Sequence, residues 1–161
     1  MRLRTHALQL FAATALMTLW LAVTPFTARA AQNDTATVLT VRGITAKDVT
    51  LTAADIEKLP RQTLTVKEKS GEDVTYEGPT LADVMRRAGL DFESNKHGRS
   101  LTRYLLAEAA DKYRIVYALP EFDPAFTDRI ILVATRKDGK PIAESEGPLR
   151  IIVPDDKRPA R

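Results

Sequence analysis

The chain contains no cysteine and only two histidines. Without thiols it can form no disulfide, offer no thiolate to a metal and carry no lipid-attachment cysteine, so the sequence predicts a free soluble product. His6 lies in an amino-terminal apolar segment, which leaves His97 as the one histidine beyond it; a zinc site of the nitrogen and sulfur type lacks its ligands. There is also no Gly-rich phosphate loop, no Ser-His-Asp set and no carboxylate motif of fixed spacing. The acidic pairs Glu144/Glu146 and Asp155/Asp156 fall in turn regions and read as solvated charge, because acid–base chemistry by two carboxylates needs a cleft and two distinct environments. Lys137 and Lys140 belong to an exposed Arg-Lys-Asp-Gly-Lys turn, where nothing desolvates an ammonium. His97, alone in the polar stretch 91–100, reads as a solvated loop residue.

What is present begins with an export signal. Arg2 and Arg4 form a positive start, Ala7 to Val23 an apolar run that Pro25 breaks, and Ala28-Arg29-Ala30 a small-x-small cleavage site. The pattern predicts residues 1–30 as a general secretory signal cleaved after Ala30, and a periplasmic or secreted product. Residues 31–37 read as a disordered leader and 38–161 as one domain, large enough to bury roughly two thirds of its unfolded surface. The full chain has 24 basic and 21 acidic residues, but Arg2, Arg4 and Arg29 leave with the signal, so the mature part carries 21 of each sign. A neutral surface of interspersed charge gives no footprint for nucleic acid, nor for a membrane once the signal is cleaved.

Along the mature chain, Val38 to Arg42 alternates as a strand does, and Val49 with Leu51 suggests a second. Thr52 is placed to cap a short helix with Asp55 at the reciprocal position and Pro60 as its stop. QTLTVKEK, SGED and VTYEG read as strand, turn and strand. Thr80 then caps a helix over about Leu81 to Ala88, which Gly89 ends. RYLLAEAA and YRIVYAL suggest a hairpin about Asp111-Lys112, although the alanines of the first also suit a helix. Phe122 and Phe126 sit in a loop where Pro124 begins a helical turn, and Ile130 to Ala134 forms a strand that turns at Asp138-Gly139. Tyr76, Tyr104, Tyr113 and Tyr117 read as strand tyrosines at the core edge. The class is α+β, strand-rich with two short helices and a mixed or partly closed sheet.

The last patterned stretch is Gly147 to Pro154, GPLRIIVP, an apolar strand whose single charge is Arg150. A guanidinium there either pairs with a carboxylate or is aimed at an anionic ligand or a second domain.

Tyr76-x-Gly78 with Leu81, Asp111-x-Tyr113, and Asp138-Gly139 leading to GPLRIIVP resemble the oxidoreductase molybdopterin-binding domain of the sulfite oxidase type, and more closely its small stand-alone exported members. The resemblance spans about Val38 to Pro154. It implies the mixed, strand-rich fold of that family and places Asp111, Tyr113 and Arg150 on the ligand-facing side, as candidate ligand-binding residues. Members that act as enzymes hold molybdenum through a cysteine thiolate, a soft ligand, which this chain lacks. The usual Asp-Gly-Tyr is here Asp111-Lys112-Tyr113, and Asp-Asp-Lys-Arg-Pro-Ala-Arg follows the GPLR strand where further basic residues and another strand are usual. Cofactor-bearing members are expected to cross the membrane folded, by the twin-arginine route, yet Arg2 and Arg4 are separated by Leu3. The sequence therefore predicts no catalytic residues, no metal and no cofactor. It predicts a module that binds a small anionic ligand or a periplasmic protein. The alternatives are a molybdopterin-dependent oxidoreductase without a thiolate, and an accessory or structural subunit.

Overall fold

A computed structural model of the chain describes residues 37–93, 101–154 and 156. The expected signal, the leader up to residue 36 and His97 lie outside these residues. In chain order come β1 (Thr37–Val41), β2 (Val49–Thr52), α1 (Ala53–Glu57), β3 (Gln62–Lys67), β4 (Asp73–Gly78) and α2 (Leu81–Arg87). There follow β5 (Tyr104–Glu108), β6 (Arg114–Ala118), β7 (Leu132–Ala134), β8 (Arg136–Lys137), β9 (Lys140–Pro141) and β10 (Arg150–Ile152). The α+β class holds. Among the described residues the strands form four antiparallel sheets: β1-β2, β3-β4-β8-β9, β5-β6 and β7-β10.

Both helices start where the sequence provides a cap. The Thr52 hydroxyl accepts the Asp55 N–H at 3.1 Å while the Asp55 carboxylate accepts the Thr52 N–H at 3.1 Å, a reciprocal box. At α2 the Thr80 hydroxyl accepts the Asp83 N–H at 3.0 Å. The helix ends where Gly89 takes φ +97°, with the Gly89 N–H bonded to the Arg86 carbonyl and the Leu90 N–H to that of Met85. Arg87 reaches Asp55 at 2.9 Å and ties the two helices together. The Thr52 N–H and hydroxyl, with Arg87 adding its charge, hold the Asp55 carboxyl below the usual range.

Two apolar clusters form the core. One gathers Leu51, Ile56, Leu81, Val84, Met85, Phe92, Tyr117, Phe122, Ile131 and Val133 between the helices, β2 and β6. The other joins Val74, Tyr76, Leu132, Ala134, Ile142 and Ile152. Fully burying one side chain of this size contributes about 1.5–3 kcal/mol. β7 serves both clusters, Val133 facing the first and Leu132 and Ala134 the second, so all three of its residues are buried. It is also stitched to the corner between β4 and α2: Val133 N–H to the Pro79 carbonyl at 2.9 Å, Thr135 N–H to that of Glu77 at 2.9 Å, and Leu81 N–H to that of Ile131 at 2.7 Å.

The tyrosines divide more sharply than a common core-edge reading expects. Tyr76 and Tyr117 are fully buried, whereas Tyr104 and Tyr113 are exposed. The expected helical turn at Pro124 forms, with the N–H groups of Phe126 and Thr127 both bonded to the Asp123 carbonyl. Phe122 enters the core and Phe126 stays exposed. No helix among the described residues is long and apolar enough to cross a membrane.

Candidate functional site

Arg150 opens β10, opposite Ala134 of β7, with its side chain only one-third exposed. Its guanidinium donates to the Tyr76 hydroxyl at 2.7 Å and lies 3.2 Å from Glu68 and 3.3 Å from Glu146. The Tyr76 hydroxyl in turn donates to Glu68, and Lys137 stands 3.8 Å from Glu146 and 6.0 Å from the Tyr76 ring centroid. Of the two fates open to a charge in an apolar strand, pairing is the one realised. The partners come from the end of β3, the middle of β4 and the turn before β10. The Tyr76 hydrogen bond, then the charges of Arg150 and Lys137, hold the Glu68 carboxyl below the usual glutamate range. Burial, then the bond to Glu68, pushes the Tyr76 phenol well above its ordinary value. Two sequence expectations are corrected here. Glu146 is an ion-pair partner of Arg150 and Lys137, not merely a solvated charge. Lys137 is half-buried against Tyr76, because β8 pairs with β4 and lays its side chain across the ladder.

Asp111 and Tyr113 lie elsewhere in the chain's hydrogen bonding, at the turn joining β5 to β6. The Asp111 carboxylate accepts the Tyr113 N–H at 3.0 Å, and the Ala109 carbonyl accepts from Lys112 at 3.0 Å. Lys112 between them takes φ +71°, the left-handed region. The Asp-x-Tyr spacing is thus turn chemistry, with a side chain mimicking a backbone acceptor. Among the described residues Arg150 pairs with Glu68 and Glu146, and no ion pair joins it to Asp111. β10 pairs with β7 and serves both clusters, Ile152 packing in the second and Ile151 on the first, while β6 packs on the first. A lysine held left-handed costs about 1–2 kcal/mol. Replacing Lys112 by Gly is expected to raise stability by about 1 kcal/mol, read as a higher urea midpoint with an unchanged slope. The exposed 3.4 Å contact of Lys112 with Glu108 is too weak to offset this gain.

A cleft of about 620 Å³ opens between the end of α2 and β5. Ile44, Met85, Leu105, Leu119 and Phe122 give it an apolar floor, and Arg42, Arg103, Thr102, Tyr104 and Asp91 a polar rim. Phe122 is fixed there by an edge-to-face contact with Phe92 at 6.0 Å. Arg42 follows the last residue of β1 and shares its charge with Asp48 at 2.8 Å. Arg103 precedes β5, and its carbonyl accepts the Leu119 N–H at 3.0 Å. Neither arginine stands out in the sequence, because each flanks a strand as an ordinary polar residue and only the packing of β1, α2 and β5 brings them to one rim. The size and the mix of apolar floor with a few polar groups are those of small-molecule pockets, about 300–1,000 Å³. Among the described residues no group of three His, Cys, Asp or Glu side chains is placed to hold a metal.

Compared with known proteins, residues 27–156 match the model of the family described as oxidoreductase molybdopterin binding domain. No curated protein matches the chain.

Proposed function

This chain belongs to the oxidoreductase molybdopterin-binding domain family, and on that premise we propose that it is an exported, non-catalytic member that binds a small anionic ligand in the cleft between α2 and β5. The observation that carries the reading is the rim itself, two guanidiniums above an apolar floor. Molybdenum does not fit the residues present: the sequence has no cysteine to supply a soft thiolate, and no cluster of harder donors is assembled among the described residues. Arg150 is already held by two carboxylates, Glu68 and Glu146, and Arg42 shares its charge with one, Asp48. The secretory signal read at residues 1–30 supports the same view, since a chain exported unfolded cannot carry a preformed cofactor site.

The test is protein secreted by its own host and purified without chelator. The expected outcome is molybdenum far below one atom per chain and no pterin fluorophore on denaturation, with a small anion released and seen by mass spectrometry. Arg103→Ala is expected to lose most of that co-purifying anion while keeping its melting temperature. Near-stoichiometric molybdenum or pterin would overturn the proposal in favour of a cofactor-bearing oxidoreductase.

A further inference from the structure

Four of the six large apolar side chains exposed among the described residues lie on the β5–β6 ribbon or its turn: Tyr104 at 68%, Leu106 at 49%, Tyr113 at 53% and Val116 at 50%. The ribbon's inner face is spoken for, since Leu105, Ala107, Ile115 and Tyr117 pack on the first core cluster. Among the described residues its outer face is largely exposed. Period-two alternation over paired strands puts three cross-strand rows there: Tyr104 opposite Ala118, Leu106 opposite Val116, and Glu108 opposite Arg114. β5 and β6 form a two-stranded sheet of their own.

These rows have a property that selects the occupant. Each pairs a side chain of β5 with its complement on β6: large with small, apolar with apolar, and negative with positive. A two-fold axis parallel to the strands, passing over the line between them, lays β5 of one copy on β6 of another. Tyr104 then covers the partner's Ala118, Leu106 the partner's Val116, and Glu108 meets the partner's Arg114, each contact occurring twice as an isologous interface requires. We infer that the outer face of the β5–β6 ribbon is a self-association surface, joining two copies with β5 of each over β6 of the other.

The footprint is small. Five residues of ribbon span about 17 Å by two strands of about 5 Å each, which falls short of the roughly 800 Å² per partner of a standard stable interface. The dimer is therefore a weak one, formed as concentration rises. Glu108 is already held ionised by Arg114 and Lys112 within its own chain, so the charged row needs no new ionisation on association.

A chain without cysteine makes the test direct. Leu106→Cys and Val116→Cys are made separately, with Thr63→Cys, at an exposed position of β3, as the control; all three sites are exposed, and unchanged melting temperatures confirm the fold. Under mild oxidation an equimolar mixture of the Leu106→Cys and Val116→Cys chains is expected to form disulfide dimers roughly tenfold or more faster than the control, and faster than either variant alone, because proximity raises the effective concentration of facing thiols. Sedimentation of the unmodified chain is expected to shift from monomer toward dimer with concentration, and Leu106→Glu to remain monomeric throughout. Cross-linking at the control rate, or a chain monomeric at every concentration, overturns the inference. Faster cross-linking of either variant with itself than in the mixture overturns the β5-over-β6 arrangement. Tyr104 stands on the cleft rim as well as on this face, so both readouts are taken without added anion and at Leu106 and Val116, which lie outside the cleft lining.

Discussion

Gly78→Ala is expected to cost about 3 kcal/mol or more and to lower the melting temperature by about 10 °C. A Cβ built on Gly78 would meet the Val133 carbonyl oxygen at 2.1 Å and the Ala134 Cα at 2.9 Å. Both are backbone atoms of β7, so no side-chain rotation relieves the overlap. Relief requires β7 to move away from the β4–α2 corner. That movement stretches the bonds from Val133 to Pro79 and from Thr135 to Glu77 and loosens Leu132, Val133 and Ala134, which are buried in two clusters at once. The entropy gained by removing a glycine from the unfolded chain, about 0.4–1 kcal/mol, is too small to compensate. Gly71→Ala is the comparison. Gly71 also carries a turn, at φ +87°, but nothing lies within 4 Å of its added Cβ, so only the left-handed backbone cost of about 1–2 kcal/mol applies. Urea denaturation of the two variants side by side measures the difference. Equal losses would show that β7 does not press on Gly78.

Arg150→Leu is expected to destabilise by about 1–3 kcal/mol, less than the 3–5 typical of a broken fully buried pair, because the cluster is partly solvated and screened. Leucine suits the apolar strand, but Glu68 and Glu146 then face each other's charge across Tyr76 without the guanidinium. The effect has a pH signature. Glu68 has its native-state carboxyl lowered, by the Tyr76 hydroxyl first and by Arg150 and Lys137 next. Its contribution to stability is therefore complete above the usual glutamate range and drains away as pH falls through the lowered native value. Removing Arg150 takes away part of that lowering. The variant should begin its acid unfolding at a higher pH than the parent, and the stability gap between them should narrow as the solution becomes acidic enough to protonate Glu68. A gap that stays constant from neutral to strongly acidic pH would show that Arg150 acts through packing alone.

Local chemistry determined a large part of this molecule from the sequence alone. Thr52 with Asp55 and Thr80 with Asp83 mark helix starts whatever surrounds them, because a side-chain oxygen three residues from an orphan N–H finds it within one turn. Gly89 marks an end for the equally local reason that only glycine takes a left-handed φ cheaply. Alternation through β3 and β4 marked them as strands before any pairing was known, and the motif order along the chain carried the family. Tertiary structure decided the rest. Arg150 announced that it needed a partner, but Glu68 lies more than eighty positions earlier, and only the antiparallel stacking of β3, β4, β7 and β10 brings the two together. The Asp111-x-Tyr113 spacing forms a turn between β5 and β6, and motif order says nothing of which ladder a strand joins. Arg42 and Arg103 gave no signal, being single charges beside strands. They share a rim because β1, α2 and β5 pack around one apolar floor, and such convergence is a property of long-range packing, which leaves no periodic trace in the sequence.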